Sequence, residues 1–304
     1  MQDTLTFVGW NVEHGKRGRE AAEMVASWEP DVFCMQEAQP DQIDTLAGIL
    51  SMDAYPAAET EAGTHTNVIF LKRGGPLVFD RDHQQGWAAW HAPANVTVRL
   101  RNPDGALSPR ILSLVSEHSC YWSADRRLRE AEWYHTLAKP DWMTIAIGDW
   151  NSYRNGGGPT NEEWKQYADR AFWTNRTYRR QDGTRVSDDR PDREMLDAGY
   201  AEAARLAVEL GASREEALKP ASGYREQLGR PRGAAYNVDR AYLTRNLRRT
   251  VRAFGVHDTH ETRPVSDHAP QILTVDTLEL VALMHTPLGT ALPSAHRLAY
   301  VPAS

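Results

Sequence analysis

The stretch "TIAIGDWNSY" (144–153) decides how this 304-residue chain is read. Its opening residues run without polar alternation into Gly-Asp-Trp-Asn, as a strand covered on both faces does. A turn needs one Asx residue to close on its own backbone, yet here Asp149 and Asn151 stand two apart. Residues two apart on a strand face the same way. Both side chains are therefore expected in one cavity, with Trp150 turned into packing.

Working outward, similar runs recur at "TLTFVGW" (4–10), "DVFCMQE" (31–37), "NVIFLKR" (67–73), "NVTVRL" (95–100), "RILSLVSEH" (110–118), "YNVDRAYLT" (236–244) and "APQILTV" (269–275). Each has strand length and β-branched or aromatic content. "NVTVRL" alternates, as a strand with one wet face should, whereas "DVFCM" does not. Helical spacing appears at 18–28, 42–50, 123–139 and 193–211. The first stops at Glu29-Pro30, because the residue before proline avoids the α region. The third opens on Ser123 as N-cap. Alternation at the start with hairpins in the middle predicts a layered α/β sandwich in one domain. Residues 1–276 are read as that domain, with 155–233 decorating one rim, and 277–304 as a C-terminal extension whose helix signal ends near Met284.

Hydrophobic residues at 41% supply a core, and charged residues at 25% suit a globular chain. A net charge of −6 argues against holding nucleic acid by bulk attraction, though not against local contact through a bound cation. No run reaches the roughly 20 apolar residues of a membrane span, and "MQDTLTFVGW" lacks a basic n-region. Cytoplasm is the expected location. Cys34 and Cys120 read as buried thiols, not as a disulfide framework. The sequence gives no sign of an obligate protein partner.

Polar groups recur where strands end: Asn11, Glu37, His118, Asp149 with Asn151, Asp239, and Asp267 with His268. Singly, each fits a turn or a surface position. Together they gather at one sheet edge, where ligands of α/β proteins lie. Their order, carried by "WNVEHG", "PDVFCMQEA", "GDWNS", "VDRAYLT" and "SDHAP", closely resembles the endonuclease/exonuclease/phosphatase superfamily over about residues 4–275. The resemblance implies a four-layer α-β-β-α sandwich (DNase I-like), two packed mixed sheets flanked by helices. It also implies a divalent-metal-dependent hydrolase of phosphoester bonds.

Under this resemblance Glu37 is the main metal ligand, with Asn11 beside it and Asp267 near the ion. Oxygen donors without a Cys or His pair at zinc spacing suit Mg²⁺ or Mn²⁺. Asp149 orients or deprotonates the attacking water, and Asn151 donates to a phosphoryl oxygen or positions that water. His268 meets the scissile phosphate, its tautomer fixed by Asp239. His118 binds phosphate or protonates the leaving group, and Asn67 matches a family position near the phosphate. In one respect the chain departs from the nuclease pattern: the strand "HTNVIFL" carries no acid to pair with His118. Glu13 and His14 read as exposed loop residues.

The expected substrate is nucleic acid, cut by a nuclease or phosphodiesterase. "FWTNRTYRR" (172–180), with Arg176 and Tyr178, and "YREQLGRPRG" (224–233) would stack on the bases and hold the phosphates of DNA or RNA. Against this, Phe172 and Trp173 also read as core, with the arginines matched by Asp188, Asp189 and Asp192. A small-molecule or lipid head-group phosphoester is the alternative, with 155–233 as a lid. A catalytically silent binding protein is a third reading, disfavoured by the complete polar set.

Overall fold

A computed structural model of the chain describes residues 2–60, 64–84, 90–223, 229–231 and 236–292. The first half forms, in order, β1 (Thr4–Asn11), α1 (Gly18–Ala26), β2 (Val32–Ala38), α2 (Ile43–Leu50), β3 (Met52–Pro56), β4 (Thr66–Lys72), β5 (Leu77–Asp82), β6 (Ala94–Leu100), β7 (Leu112–His118), α3 (Ala124–Trp133) and β8 (Met143–Asp149). The second half begins with α4 (Asn161–Trp164), α5 (Arg170–Asn175), β9 (Thr177–Arg179), β10 (Arg185–Ser187), α6 (Arg190–Asp197) and β11 (Tyr200–Glu202). It continues with α7 (Ala203–Glu209), α8 (Arg214–Ala217), β12 (Asp239–Thr244), β13 (Val251–Val256), β14 (Gln271–Asp276) and α9 (Thr277–Met284).

Two six-stranded sheets carry the fold, ordered β13-β14-β1-β2-β4-β3 and β11-β12-β8-β7-β6-β5. Each is antiparallel except for one central parallel pair, β1–β2 and β7–β8, joined across helices α1 and α3. Strand alternation sorts the side chains into layers. Leu5, Phe7, Cys34, Ile69, Leu114, Ile145, Ile147, Ala241 and Leu273 fill the space between the sheets. Val8, Trp10, Phe33, Met35 and Phe70 face the other way, against Ala21, Val25 and Leu46 of α1 and α2. On the second sheet Val115, Ala146, Trp150 and Tyr242 pack with Met195 of α6. Helices, sheet, sheet, helices: the architecture is the four-layer sandwich that the resemblance implied.

Two glycines allow close approach where polar strand ends follow, Gly9 between the sheets and Gly148 between neighbouring strands of one sheet. A Cβ on Gly9 of β1 would lie 2.1 Å from Ile147 Cγ2 of the opposite sheet. One on Gly148 would lie 1.9 Å from the Glu117 carbonyl oxygen. Neither position has room for a side chain, so the chain approaches closely there.

Several expectations need correction. "NVTVRL" has no wet face: Asn95 and Thr97 of β6 are buried, and Asn95 Oδ1 accepts from Ser113 Oγ at 2.8 Å. The helix expected over 193–211 is broken by Gly199, whose φ of 94° ends α6. Tyr200–Glu202 then pairs with β12 as an edge strand before α7 begins. Residues 155–233 are therefore not a uniform rim decoration, since β11 and α7 belong to the sandwich itself. Strands β3, β5 and β13 complete the sheets beyond the runs read from sequence. Helix α9, inside the expected C-terminal extension, buries Leu280, Leu283 and Met284 in the core between the sheets. Cys34 and Cys120 are both buried and unpaired, and burial pushes the Cys34 thiol up to about 12. Among the described residues no helix is long and apolar enough to cross a membrane.

Candidate active site

Parity explains most of the site. Asn11, Asn67, His118, Asp149 and Asp239 share the phase of the core residues on their strands, and all lie at the same end of the two sheets. They are buried, none more than 4% exposed. Where Leu, Ile or Phe would continue the core, the chain places amides, imidazoles and carboxylates.

Two members arrive by a different route. Parity would send Glu37 to the helix side with Met35. The β2–β4 register slips between Met35 and Ala38, and Glu37 takes a left-handed φ of 61°. A bulge of this kind re-aims a side chain. Asn151 likewise stands beyond the end of β8 with φ 49°. It reaches the site through an Asx turn, its N–H donating to Asp149 Oδ1 at 2.9 Å. Asn151 is thus joined to Asp149 by its backbone in a left-handed turn and not by strand alternation, its Nδ2 donating to the Ser119 carbonyl. Trp150 does turn away, buried with its Nε1 donating to the Arg240 carbonyl at 3.1 Å. Among the described residues six non-glycines have left-handed φ, and four of them, Glu13, His14, Glu37 and Asn151, border this hollow. Backbone held in sparsely populated regions clusters at functional sites.

Asp149 Oδ2 is the hub. Asn11 Nδ2 lies 3.3 Å away, His118 Nε2 3.6 Å and His268 Nε2 3.9 Å. Asn11 Nδ2 also donates to Glu37 Oε1 at 3.0 Å, and His118 Nε2 stands 3.6 Å from that same oxygen. His268 Nδ1 meets both oxygens of Asp239 at 2.9 Å, with Asp267 Oδ1 4.0 Å from Nε2. Ser266 locks this loop to β1, its hydroxyl donating to the Asn11 carbonyl at 2.7 Å and accepting from His268 N at 3.1 Å.

Charge follows from these neighbours. Burial alone would raise Glu37, but the His14 hydrogen bond and the His118 and Asn11 dipoles and charges hold it well below the usual carboxylate range. Burial likewise opposes the charged form of Asp149, and His268, His118 and Arg176 outweigh it, so its value is lowered. For His268, burial is overcome by Asp239, then Asp149 and Asp267, and its value rises well above the ordinary one. His118 behaves oppositely: burial dominates and lowers it. At neutral pH the hollow thus holds ionised Glu37 and Asp149, an imidazolium at His268 and a neutral imidazole at His118.

Among the described residues His118 Nδ1 is buried without a hydrogen-bond partner. The His91 ring stacks on it instead, centroids 5.0 Å apart and planes at 10°. Asn67 Nδ2 donates to the Ala92 carbonyl at 2.8 Å, leaving Oδ1 buried without a donor. His14, read as a bland loop residue, holds Glu37 Oε2 through its backbone N–H at 2.6 Å and its Nδ1 at 3.0 Å. Only Gly15, which completes three consecutive left-handed residues, marked that turn in the sequence.

The rim segment divides. Arg176 reaches the hollow, its Nη1 donating to the Asn151 carbonyl. Tyr178 does not: Arg190 lies over its ring at 4.1 Å and Arg193 donates to its hydroxyl at 3.2 Å. Phe172 is core, and Trp173 lies under Arg170 at 3.8 Å and Arg185 at 5.1 Å. Asp188, Asp189 and Asp192 pair with Arg127, Arg190, Arg193 and Arg205, not with the arginines of 172–180. Of 224–233, only Gly229, Arg230 and Pro231 lie within the described residues, and Arg230 covers the Phe172 ring at 3.6 Å.

The donor chemistry fits a hard divalent cation, because four carboxylates, Glu37, Asp149, Asp239 and Asp267, edge one hollow. Asp149, Asp239 and His268 have donor atoms within 4.8 Å of one another, which differs from the Glu37-centred set expected. In that trio His268 Nδ1 is already engaged by Asp239, so it acts as a hydrogen-bonded dyad facing Asp149. Asn11 Oδ1 accepts from Glu13 N at 3.1 Å, while its Nδ2 faces the two carboxylates and secures Glu37.

Known proteins share this frame. The mannosyl-6-phosphatase Bt3783 of Bacteroides thetaiotaomicron matches with a TM-score of 0.56 at 14% identity, covering 89% of this chain and 99% of that one. TDP2 of D. rerio, solved with a single-strand DNA product, matches at 0.55 and 15%, covering 91% and 100%. The AP endonuclease LMAP of Leishmania major matches at 0.57 and 16%, covering 90% and 88%. At such identities the likeness establishes the fold. The sequence model of the Endonuclease/Exonuclease/phosphatase family matches residues 8–268, from within β1 to His268. That span contains every polar group of the hollow, and the chain belongs to this family of phosphoesterases.

Proposed function

We propose that the protein hydrolyses a phosphoester by in-line attack of water, with a divalent cation bound in the hollow. The observation that carries this reading is the ring of nitrogens around Asp149 Oδ2, three side chains from two sheets within 3.9 Å, beside the ionised Glu37. Glu37 and Asp267 would hold Mg²⁺ or Mn²⁺, which when bound neutralises charge developing on phosphoryl oxygens. Asp149, kept ionised, orients the attacking water and accepts its proton. His268, kept cationic by Asp239, presents Nε2 to the oxygens of the phosphoryl group. His118, neutral and without a carboxylate behind Nδ1, binds phosphate through Nε2 and does not serve as the acid for the leaving group. Asn151 fixes Asp149 through its own backbone N–H, its Nδ2 tied to the Ser119 carbonyl at 2.8 Å. Arg176 adds positive charge at the mouth.

Within this chemistry we favour a small phosphoester over a nucleic acid strand. The rings that would stack on bases are buried or covered by the protein's own arginines, and the net charge is −6. A nucleic-acid substrate is the second reading. Arg179 and Arg180, exposed on the β9–β10 hairpin, favour it, as does the fold shared with TDP2 and the AP endonuclease.

The test is product formation from a panel of monoesters, diesters and single- and double-stranded oligonucleotides with Mg²⁺ or Mn²⁺, read as inorganic phosphate from the monoesters and as alcohol plus monoester, or shortened strands, from the others. Turnover on at least one member, abolished by EDTA, is expected. Inactivity on the whole panel with either metal would rule the reading out.

A further inference from the structure

The two histidines of the hollow are fixed in different ways. His268 Nδ1 meets both oxygens of Asp239 at 2.9 Å. Behind His118 stands no such acid, and among the described residues its Nδ1 is buried without a hydrogen-bond partner. Its Nε2 lies 3.6 Å from Glu37 Oε1 and from Asp149 Oδ2, beyond hydrogen-bond length. Two carboxylate oxygens on that side favour the tautomer with the proton on Nε2, but at this range they do not hold the ring. The second torsion of a histidine side chain has a broad preference of its own, so packing must stop the ring from turning.

Rings supply that packing. His91 stacks on His118, centroids 5.0 Å apart and planes at 10°, and Trp90 meets it at 4.6 Å with planes at 61°. Trp90 and His91 lie 4.0 Å from each other. The segment that carries them is strapped down on either side of His91. Asn67 of β4 donates through Nδ2 to the Ala92 carbonyl at 2.8 Å, and the Thr60 hydroxyl donates to the Trp90 carbonyl. His91 is buried, and that burial, followed by the charge of His118, pushes it down to about 3. Its ring is therefore neutral at neutral pH and lies against His118 without repulsion. A carboxylate behind Nδ1 would also fix the ring, but it would draw a proton onto His118, as Asp239 does at His268. A stacked ring fixes the plane and adds no charge.

We propose that His91 is a positioning residue for His118, its ring holding the plane of that imidazole so that Nε2 faces the phosphoryl group. The inference rests on the phosphoesterase reading, in which His118 binds phosphate through Nε2, and adds a residue to it. Asn67 then serves at one remove, by anchoring the segment that carries His91.

Three substitutions separate a stacked ring from mere filling of space. His91→Ala removes the ring, His91→Leu fills the space without a plane, and His91→Phe restores a ring that has no nitrogen. The measurements are kcat/KM of the Mn²⁺-loaded full chain on its best ester, and the Ki of inorganic phosphate as a competitive inhibitor. Misplacing a group by about 1 Å at a reacting centre can cost about 10²-fold. His91→Ala and His91→Leu should lower kcat/KM by about tenfold and raise Ki by about fivefold, with His91→Phe within about twofold of wild type in both. A merely structural role would shrink the folded fraction, lowering kcat and leaving Ki unchanged. Should His91→Ala fail to fold, His91→Leu against His91→Phe decides. His91→Phe failing as His91→Leu does, the two performing equally well, or a Ki unmoved in every variant would overturn this inference and leave the phosphoesterase reading intact. A wild type inactive on every ester would overturn both.

Discussion

Asp149 and His268 enter the hollow from different sheets, one at the end of β8 and the other just before β14, and bring Oδ2 and Nε2 to 3.9 Å. The carboxylate is ionised and the imidazole protonated, and their partners differ. Asp149 is held by an amide N–H from its own turn, His268 by the two oxygens of Asp239. The hollow that both atoms face is where a phosphoryl group and its water are expected to meet.

Replacing Asp149 by Asn keeps the shape and removes the charge that receives the proton of water. We expect kcat to fall by about 10³-fold, the range typical of a lost general base, with the melting temperature within about 3 °C of wild type. Paired turnover and calorimetric measurements check this. A collapse of stability instead would make Asp149 a structural residue.

Asp239→Asn acts through His268. Asp239 is the main group raising that imidazole, so its loss lowers the pH at which His268 gives up its proton. The alkaline limb of the kcat profile should move to lower pH by at least about one unit. An unmoved limb would mean that the charge on His268 is not used.

Behind the site, Glu117 is buried under α3 and raised to about 8, first by burial and then by its neighbour Glu130. A carboxyl raised in the folded state contributes stability below its unfolded value near 4.5, and loses it as pH climbs through 8. Glu117→Gln, which cannot ionise, should therefore melt at least about 5 °C above wild type at pH 9 and within about 2 °C of it at pH 5. A constant difference across that range would show that Glu117 does not titrate in the fold.

Gly148→Ala sets a methyl 1.9 Å from the backbone oxygen of Glu117, which cannot step aside. Overpacking of this kind costs about 1–3 kcal/mol, and because Gly148 adjoins Asp149 the loss should appear in both thermal melts and turnover. Gly9→Ala sets a methyl 2.1 Å from Cγ2 of the buried, β-branched Ile147 and should also lower the melting temperature.

Much of this was legible because strand parity is a local property. Asn11, His118, Asp149 and Asp239 each continue the phase of the apolar residues before them, so their shared cavity follows from the pattern of each strand. Glu37 and Asn151 were legible as candidates, but not in their geometry. Both reach the hollow through left-handed backbone that side-chain chemistry does not advertise. His14 was illegible for the same reason, its contact with Glu37 depending on a three-residue left-handed turn. Composition misled most at Trp173 and Tyr178. Whether an aromatic ring is free to stack depends on which arginine already lies over it, and Arg170, Arg185 and Arg190 are neighbours only after folding.

The most direct test is turnover in H₂¹⁸O of whichever phosphoester the metal-loaded protein accepts, read by mass spectrometry of both products. We predict one ¹⁸O in the phosphoryl-bearing product, inorganic phosphate from a monoester or the product monoester from a diester, and none in the alcohol, dependent on Mg²⁺ or Mn²⁺ and lost in Asp149→Asn. Label in the alcohol, or an undiminished yield from Asp149→Asn, would contradict attack at phosphorus by a water that Asp149 holds.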